Sequence, residues 1–407
     1  MLVEFRVENH RSIREEQVFT MEASRAVVGE DSPARQVPGH AAPLLPVAAI
    51  YGANASGKSN VLRALSFMRA CVVNSQAHWQ PGGGVPRDPF AWSGQSATPS
   101  MFEATFLVAD VRYQYGFTVD DARVLEEWLY AWPRGRRQTW FTRDRDVFKF
   151  GEHLAGENRA VEKVTRPNAL FLAAAAQLQH EQLSRPYTWF LALDTVTIPS
   201  TRGLDLRALA ETRVFLAGAR HYSFEPLNTL LRSADVGIAG VRVEATGDSE
   251  FPRILVDHVT GAEDVALALE EESDGTRTLV DRGRRVIAAI RTGGVLVVDE
   301  LERSLHPSLA RQIVEQFNDP AQNPLHAQLV FATHDSNLLA LFDGKPALRR
   351  DQVWLTEKTA DGATRLYPLT DFRPAKHEDL ERRYLQGRYG AIPFLTDLVP
   401  PENAAHG

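Results

Sequence analysis

Eight residues constrain this chain more than any others. Gly52-Ala53-Asn54-Ala55-Ser56-Gly57-Lys58-Ser59 fits the pattern G-x-x-x-x-G-K-[ST]. It stands between a short apolar run, Val47 to Tyr51, and a segment from Asn60 in which Val61, Leu62, Leu65, Phe67 and Met68 fall largely three and four apart. A strand, a glycine loop and a helix in that order make a phosphate cradle: glycines let backbone N–H groups wrap a β-phosphate, and the helix N-terminus adds partial positive charge. Gly52, Asn54, Ala55, Ser56, Gly57, Lys58, Ser59 and Asn60 are the candidate nucleotide-binding residues. Lys58 would neutralise the β- and γ-phosphates and the Ser59 hydroxyl would ligate Mg²⁺. A chance glycine turn before a helix is the alternative, and the flanking elements weigh against it.

A second run, Gly294-Val295-Leu296-Val297-Val298-Asp299-Glu300, reads as an apolar strand ending in two carboxylates. Buried parallel strands are continuous apolar runs, and ligands gather at their carboxyl ends. Alone, such an ending is commonly a helix cap or a solvated turn. Paired with the phosphate loop, Asp299 becomes a metal ligand beside Ser59, and Glu300 the group that polarises an attacking water. Lys58 and Asp299 lie 241 positions apart, too far for a compact nucleotide-binding core without an insertion. Downstream, the apolar run Gln328 to Ala332 ends in Thr333-His334-Asp335. Upstream, Glu271 to Arg277 is a polar turn opening a helix through Leu279, Val286 and Ile290.

The remaining chain supplies the frame. Runs at Phe102–Val108, Val111–Val119, Val124–Ala131 and Thr139–Arg143, parted by Ala109-Asp110 and Asp120-Asp121, predict an antiparallel meander. Between about 155 and 195 the texture turns helical, with Asn168 as cap of a helix Ala169–Gln179 and Pro186 opening a second one through Phe190 and Leu193. Two β runs, Val241–Glu244 and Arg253–Val259, lead into helix–strand alternation to about 370. Long heptads are missing, which excludes a long coiled-coil arm. The single cysteine, Cys71, excludes an intrachain disulfide framework. The longest apolar run, Ala169 to Ala176, is far short of the roughly 20 residues that span a bilayer. The alternating start, Met1 to Asn9, is not a secretory signal. A cytoplasmic chain with no membrane partner is expected, and its net charge of −7 argues against a protein coated in nucleic acid.

Phosphate loop, Ser273-Asp274-Gly275-Thr276 before a helix, Asp299-Glu300 and then His334: in this order the sequence resembles the ABC-type ATPase heads of the SMC, RecF and OLD group, over roughly residues 1–370. The resemblance implies an α/β fold, a P-loop NTPase of the ABC-ATPase head type with an antiparallel β subdomain and a helical insertion. It implies ATP and Mg²⁺ as cofactors and two heads sandwiching nucleotide head to tail. Ser273, Gly275 and Thr276 would then contact the γ-phosphate bound by the other protomer, His334 would sense the γ-phosphate as a catalytic residue beside Lys58 and Glu300, and Ser304-Leu305-His306-Pro307 would form a dimer-contact loop. Without that order, a lone strand-end histidine would read as structural. The signature departs from the transporter-like Leu-Ser-Gly-Gly-Gln, and Gln95 is only a candidate for the Q-loop glutamine. Val7 to Ser12 resembles the Asn-Phe-Arg-Ser opening of these heads, with His10 where an aromatic is usual. Arg11 is carried over from it as a nucleotide contact, an exposed hairpin arginine being the alternative.

The segment Glu381 to Pro393 resembles the C-terminal signature of RloA-like AAA ATPases of bacterial defence islands, which implies a separately encoded effector as partner. The plainer reading is a segment packed on the head. The expected division is an ATPase lobe over 1–150, a helical insertion over 151–205, a second lobe over 206–370 and a tail over 371–407. No Asp-x-Asp follows His334, so the metal nuclease of OLD-type proteins is not expected. Arg134, Arg136, Arg137, Arg143, Arg145 and Lys149, interleaved with Trp132, Trp140, Phe141 and Phe148, have the composition of a nucleic-acid platform. Strand alternation, with aromatics inward and cations in water, is the favoured reading. The sequence therefore predicts an ATPase that forms a homodimer or higher oligomer around ATP and regulates a partner in antiphage defence. One alternative is a RecF-like clamp that grips duplex DNA with the arginine patch. Another is a nucleotide-gated scaffold that barely hydrolyses, against which Glu300 speaks.

Overall fold

The computed structural model describes residues 1–27, 32–92, 94–196, 224–234, 237–244, 253–259, 265–303, 305–342, 344–375 and 378–392. β1 (Leu2–Glu8) and β2 (Gln17–Thr20) open the chain, and β3 (Val47–Gly52) runs into the helix Lys58–Asn74. β4 (Ser100–Val108), β5 (Val111–Val119), β6 (Val124–Trp132), β7 (Gln138–Asp144) and β8 (Val147–Phe150) then follow in succession. They form the expected meander. β1 and β2 extend it into a seven-stranded antiparallel sheet of order β2-β1-β4-β5-β6-β7-β8.

Three helices, Asn158–Val164, Phe171–Gln177 and Glu181–Ala192, lead to β9 (Leu193–Val196). Neither the second nor the third of these helices begins where its local signals predict. Asn168 caps nothing: the helix begins at Phe171 behind Leu170, and the Asn168 amide donates instead to the Gln80 and Gly84 carbonyls, 3.0 Å each. Pro186 opens nothing either. The helix starts at Glu181, capped by His180, whose Nδ1 accepts from the Leu183 N–H at 3.3 Å. Pro186 lies buried inside that helix beside Leu183, Trp189 and Phe190, so apolar burial outweighs the lost backbone hydrogen bond.

After the helix Glu225–Ala234 come β10 (Ile238–Glu244), β11 (Arg253–His258) and β12 (Val265–Ala268), a small antiparallel sheet. The helix Asp274–Thr292, β13 (Val295–Val298), the helix Pro307–Asn318, β14 (Gln328–Ala332), the short pair β15 (Leu341–Phe342) and β16 (Lys345–Pro346), β17 (Val353–Lys358), β18 (Thr364–Pro368) and the helix Leu380–Leu385 complete the described chain. The six-stranded sheet has the order β18-β17-β3-β14-β13-β9, parallel throughout except for β18 at its edge.

Residues of β3 alternate between two cores. Ala48 and Ile50 join a core shared with the helix Lys58–Asn74 and the antiparallel sheet. Val47, Ala49 and Tyr51 face the helices Asp274–Thr292 and Pro307–Asn318. Every residue of β3, β13 and β14 is buried, which is why these strands read as unbroken apolar runs. Among the described residues no helix is long and apolar enough to cross a membrane.

In the meander, Arg134, Arg136, Arg137, Arg145 and Lys149 are exposed while Trp140, Phe141 and Phe148 are buried. The four arginines lie in the turns that flank β7, and the neighbours Trp140 and Phe141 are both buried because the β6–β7 register shifts there, so strand alternation holds only for Phe148 and Lys149. Arg143 departs from the expected solvated face. It is 3% exposed, lies 3.5 Å from Glu127 and donates to the Ala169 carbonyl at 2.7 Å. Glu127 in turn accepts from the N–H groups of Phe171 (2.7 Å) and Leu172 (3.1 Å) and from the Tyr115 hydroxyl (2.9 Å). This buried pair ties the helical segment to the sheet.

Candidate functional site

β3 ends at Gly52 and the helix begins at Lys58, so the loop between them sits on the carboxyl edge of the parallel sheet. Two of its glycines are sterically required. A Cβ on Gly52 would stand 2.5 Å from the Ser56 hydroxyl and overlap the Thr356 hydroxyl, and one on Gly57, at φ 113°, would overlap the Thr364 side chain. Lys58 is buried, and its ammonium donates to the carbonyls of Gly52 (2.7 Å) and Ala53 (3.1 Å), 3.4 Å from His334 Nδ1. Burial pulls its pKa down to about 8, against the opposing pull of Asp299, Glu302 and Glu300.

The Ser59 hydroxyl donates to Asp299 Oδ1 at 2.9 Å. Asp299 is 1% exposed and its Oδ2 has no hydrogen-bond partner. A buried carboxylate oxygen without a donor is costly unless a cation completes it. One hydroxyl and one free carboxylate oxygen, both hard ligands, suit Mg²⁺ held jointly with phosphate. His334 follows β14, and its N–H donates to Glu302 Oε1 at 2.7 Å. Burial first, and the Lys58 charge second, hold the imidazole below its usual pKa, so it is neutral at pH 7. With Nδ1 turned to the ammonium as acceptor, the ring proton is assigned to Nε2. The ends of β3, β14 and β13, adjacent in the sheet, thus bring Lys58, Ser59, His334 and Asp299 together.

Residues 47–340, more than half of the chain, match the family described as "AAA domain, putative AbiEii toxin, Type IV TA system". The chain belongs to that family. No curated protein matches it. Among solved structures, an SMC head bound to the C-terminal winged-helix domain of ScpA is similar at 12% identity, covering 90% of this chain and 96% of that one, with a TM-score of 0.44. The SMC head domain from Thermotoga maritima is similar at 13% identity, with coverage of 90% and 98% and a TM-score of 0.39. A Pyrococcus furiosus SMC head with an extended coiled coil, bound to the C-terminal domain of ScpA, shows 12% identity, 91% and 97% coverage and a TM-score of 0.44.

Other candidate residues of this AAA-domain protein fall into separate groups. Asn60 donates to the Ser12 hydroxyl at 2.6 Å, Ser12 pairs with the Thr364 hydroxyl at 2.8 Å, and Thr364 donates to the Ser56 carbonyl at 2.9 Å. The N-terminal turn is thereby fastened to the phosphate loop. Arg11 is half-exposed and its guanidinium binds Asp88 at 2.7 Å. His10 fills the expected aromatic place, stacked 5.5 Å from Phe67 with Phe102 edge-on at 5.4 Å, and both ring nitrogens lack partners.

Ser273 caps its helix, its hydroxyl accepting from the Thr276 N–H at 3.1 Å, with Gly275 between them. Among the described residues no hydrogen bond joins this turn to the phosphate loop. Ser304 and Pro393 lie outside the described residues. His306 caps the helix that Pro307 opens, and Gln95 opens a 3-10 turn.

Sequence reasoning missed two charged members of the site. Glu302 holds the His334 backbone. Arg282, 6% exposed, donates to the carbonyls of Glu300 (2.7 Å) and Leu301. Burial lowers its pKa to about 10. Glu300 itself is left-handed, at φ 53°. Glu302 could have been found as a third carboxylate after Asp299-Glu300, and Arg282 as a cation seven residues, or two helical turns, beyond Gly275. The segment 378–392 packs on the same edge: Tyr384 meets Tyr51 edge-on at 5.5 Å, and Glu381 accepts from Ser336 at 2.8 Å.

Proposed function

We propose that this protein hydrolyses ATP with Mg²⁺, closing as a head-to-tail dimer around nucleotide and passing the nucleotide state to a partner protein in antiphage defence. The convergence of Lys58, Ser59, Asp299 and His334 on one sheet edge carries the catalytic part of this reading. Lys58 would bind the β- and γ-phosphates, and His334 Nε2–H would donate to the γ-phosphate. Ser59 and Asp299 would hold Mg²⁺, which supplies charge neutralisation along the phosphates. Glu300 would accept the proton of the attacking water.

The trans role of Ser273, Gly275 and Thr276 belongs to this reading. Arg11 as a nucleotide contact, the division at 150, 205 and 370, and a cytoplasmic location also belong to it. The family description, a toxin of a toxin–antitoxin system, supports a defence role and a separately encoded partner. The deciding experiment is Glu300→Gln: turnover should fall by roughly 10²-fold or more while ATP still binds. Unchanged turnover refutes the assigned mechanism.

A second reading, the clamp on duplex DNA, is favoured by the exposed arginines at the β6–β7 turn, where Arg137 lies 3.7 Å over the Tyr130 ring. DNA-stimulated hydrolysis that fades with salt would select it.

A further inference from the structure

Beside the phosphate loop lies an open cleft of about 460 Å³, lined by Arg11, Ser12, Asn60, Asp88 and Trp92 among others. Asn60 follows Ser59 directly, and its bond to Ser12 makes the cleft floor continuous with the loop. The γ-phosphate end of the site is marked by Lys58, Asp299 and His334, and Asn60 stands one residue beyond the metal-binding serine. A nucleotide held by its terminal phosphates at Lys58 and Ser59 would reach this cleft by extending its sugar and base past Asn60.

Trp92 gives the cleft its chemistry. It is 54% exposed, a large apolar ring kept in solvent, yet it is braced. Phe90, fully buried and tied through its N–H to Asn9 Oδ1 at 2.9 Å, meets it edge-on at 5.3 Å. The Lys358 ammonium lies 5.8 Å from its centroid, and the Gly362 backbone comes so close that a Cβ there would stand 3.2 Å from the indole. Arg11 completes the rim: its N–H donates to the Asp88 carbonyl and its guanidinium to the Asp88 carboxylate, both at 2.7 Å. A held, half-exposed indole beside cations is a stacking platform for a π-face.

We propose that this cleft is the nucleoside subsite, with Trp92 stacking on the purine base of the bound nucleoside triphosphate and the Arg11–Asp88 pair forming the wall beside the sugar. The inference rests on the ATPase reading and adds the residue that recognises the base. The test is calorimetric titration of the full chain with ATP and, separately, with inorganic tripolyphosphate, for wild type, Trp92→Ala and Trp92→Phe. Loss of one base–aromatic stack should weaken ATP binding roughly tenfold or more in Trp92→Ala and leave tripolyphosphate binding unchanged, with Trp92→Phe restoring most of the loss. Unchanged ATP affinity in Trp92→Ala, or equal losses for both ligands, overturns the subsite while leaving the ATPase reading intact. A wild type that binds neither ligand overturns both.

Discussion

The guanidinium of Arg282 donates to the main-chain carbonyl of Glu300 at 2.7 Å, so the helix that begins at the Ser273 turn grips the backbone of the candidate general base. Gly275 and Arg282 are seven residues apart on that helix and lie on one face. A force on the Ser273–Thr276 turn therefore has a rigid path of about two helical turns to Glu300.

Arg282 is accordingly expected to act on rate more than on affinity. Arg282→Lys should lower kcat by about 10- to 100-fold with KM changed little, because misplacing the base costs turnover and leaves phosphate binding intact. Steady-state kinetics beside direct ATP titration separate the two. A matching loss of affinity would assign Arg282 a merely structural role.

Asp299→Asn keeps the shape of the side chain but removes the charge that its free Oδ2 presents. The Mg²⁺ concentration needed for half-maximal hydrolysis should rise at least ~10-fold. A magnesium titration at saturating ATP measures it.

Lys58, with a pKa drawn down to about 8, loses its charge above that pH. A bound polyphosphate favours the charged form, so ATP affinity should fall as pH rises through about 8, and binding there should take up a proton. Calorimetry at pH 8.5 in buffers of different ionisation enthalpy reads the proton directly.

Burial lowers the His10 pKa to about 4, and neither ring nitrogen is hydrogen-bonded. Between pH 6.5 and 4 the unfolded chain takes up a proton that the folded chain refuses, so His10 makes stability fall as pH falls. His10→Phe should remove that contribution and add ~1 kcal/mol at pH 7 by replacing an unpaired polar ring. Urea unfolding at pH 7 and pH 5 checks both statements.

Glu127→Gln would strand Arg143 as a buried cation and should cost about 3–5 kcal/mol. Adding Arg143→Met should recover much of that loss, a comparison that a urea series on the three variants provides.

The phosphate loop and the β13 strand were legible because their signals are local: a glycine pattern between two short periodic segments, and an apolar run long enough to be a strand buried on both faces. The meander was legible for the same reason, through its aromatic runs and turn residues. β9, only Leu-Asp-Thr-Val, carried too little periodicity to announce that it edges the parallel sheet. Pro186 misled because its local preference for a helix start lost to burial around Leu183 and Phe190. Arg143 was unreadable because its partners, the Glu127 carboxylate and the Ala169 carbonyl, lie far along the chain, where no local pattern names them.

Three neighbouring strands, β3, β14 and β13, deliver the lysine, the histidine and the aspartate in lateral order. Hydrogen-bonded strands lie ~4.8 Å apart, so the sheet works as a ruler with fixed graduations. Its two intervals come to roughly 10 Å, and no side chain can stretch that scale without breaking the ladder. Evolution of such a site can exchange the groups at the marks, while the distance between the marks stays that of the peptide backbone itself.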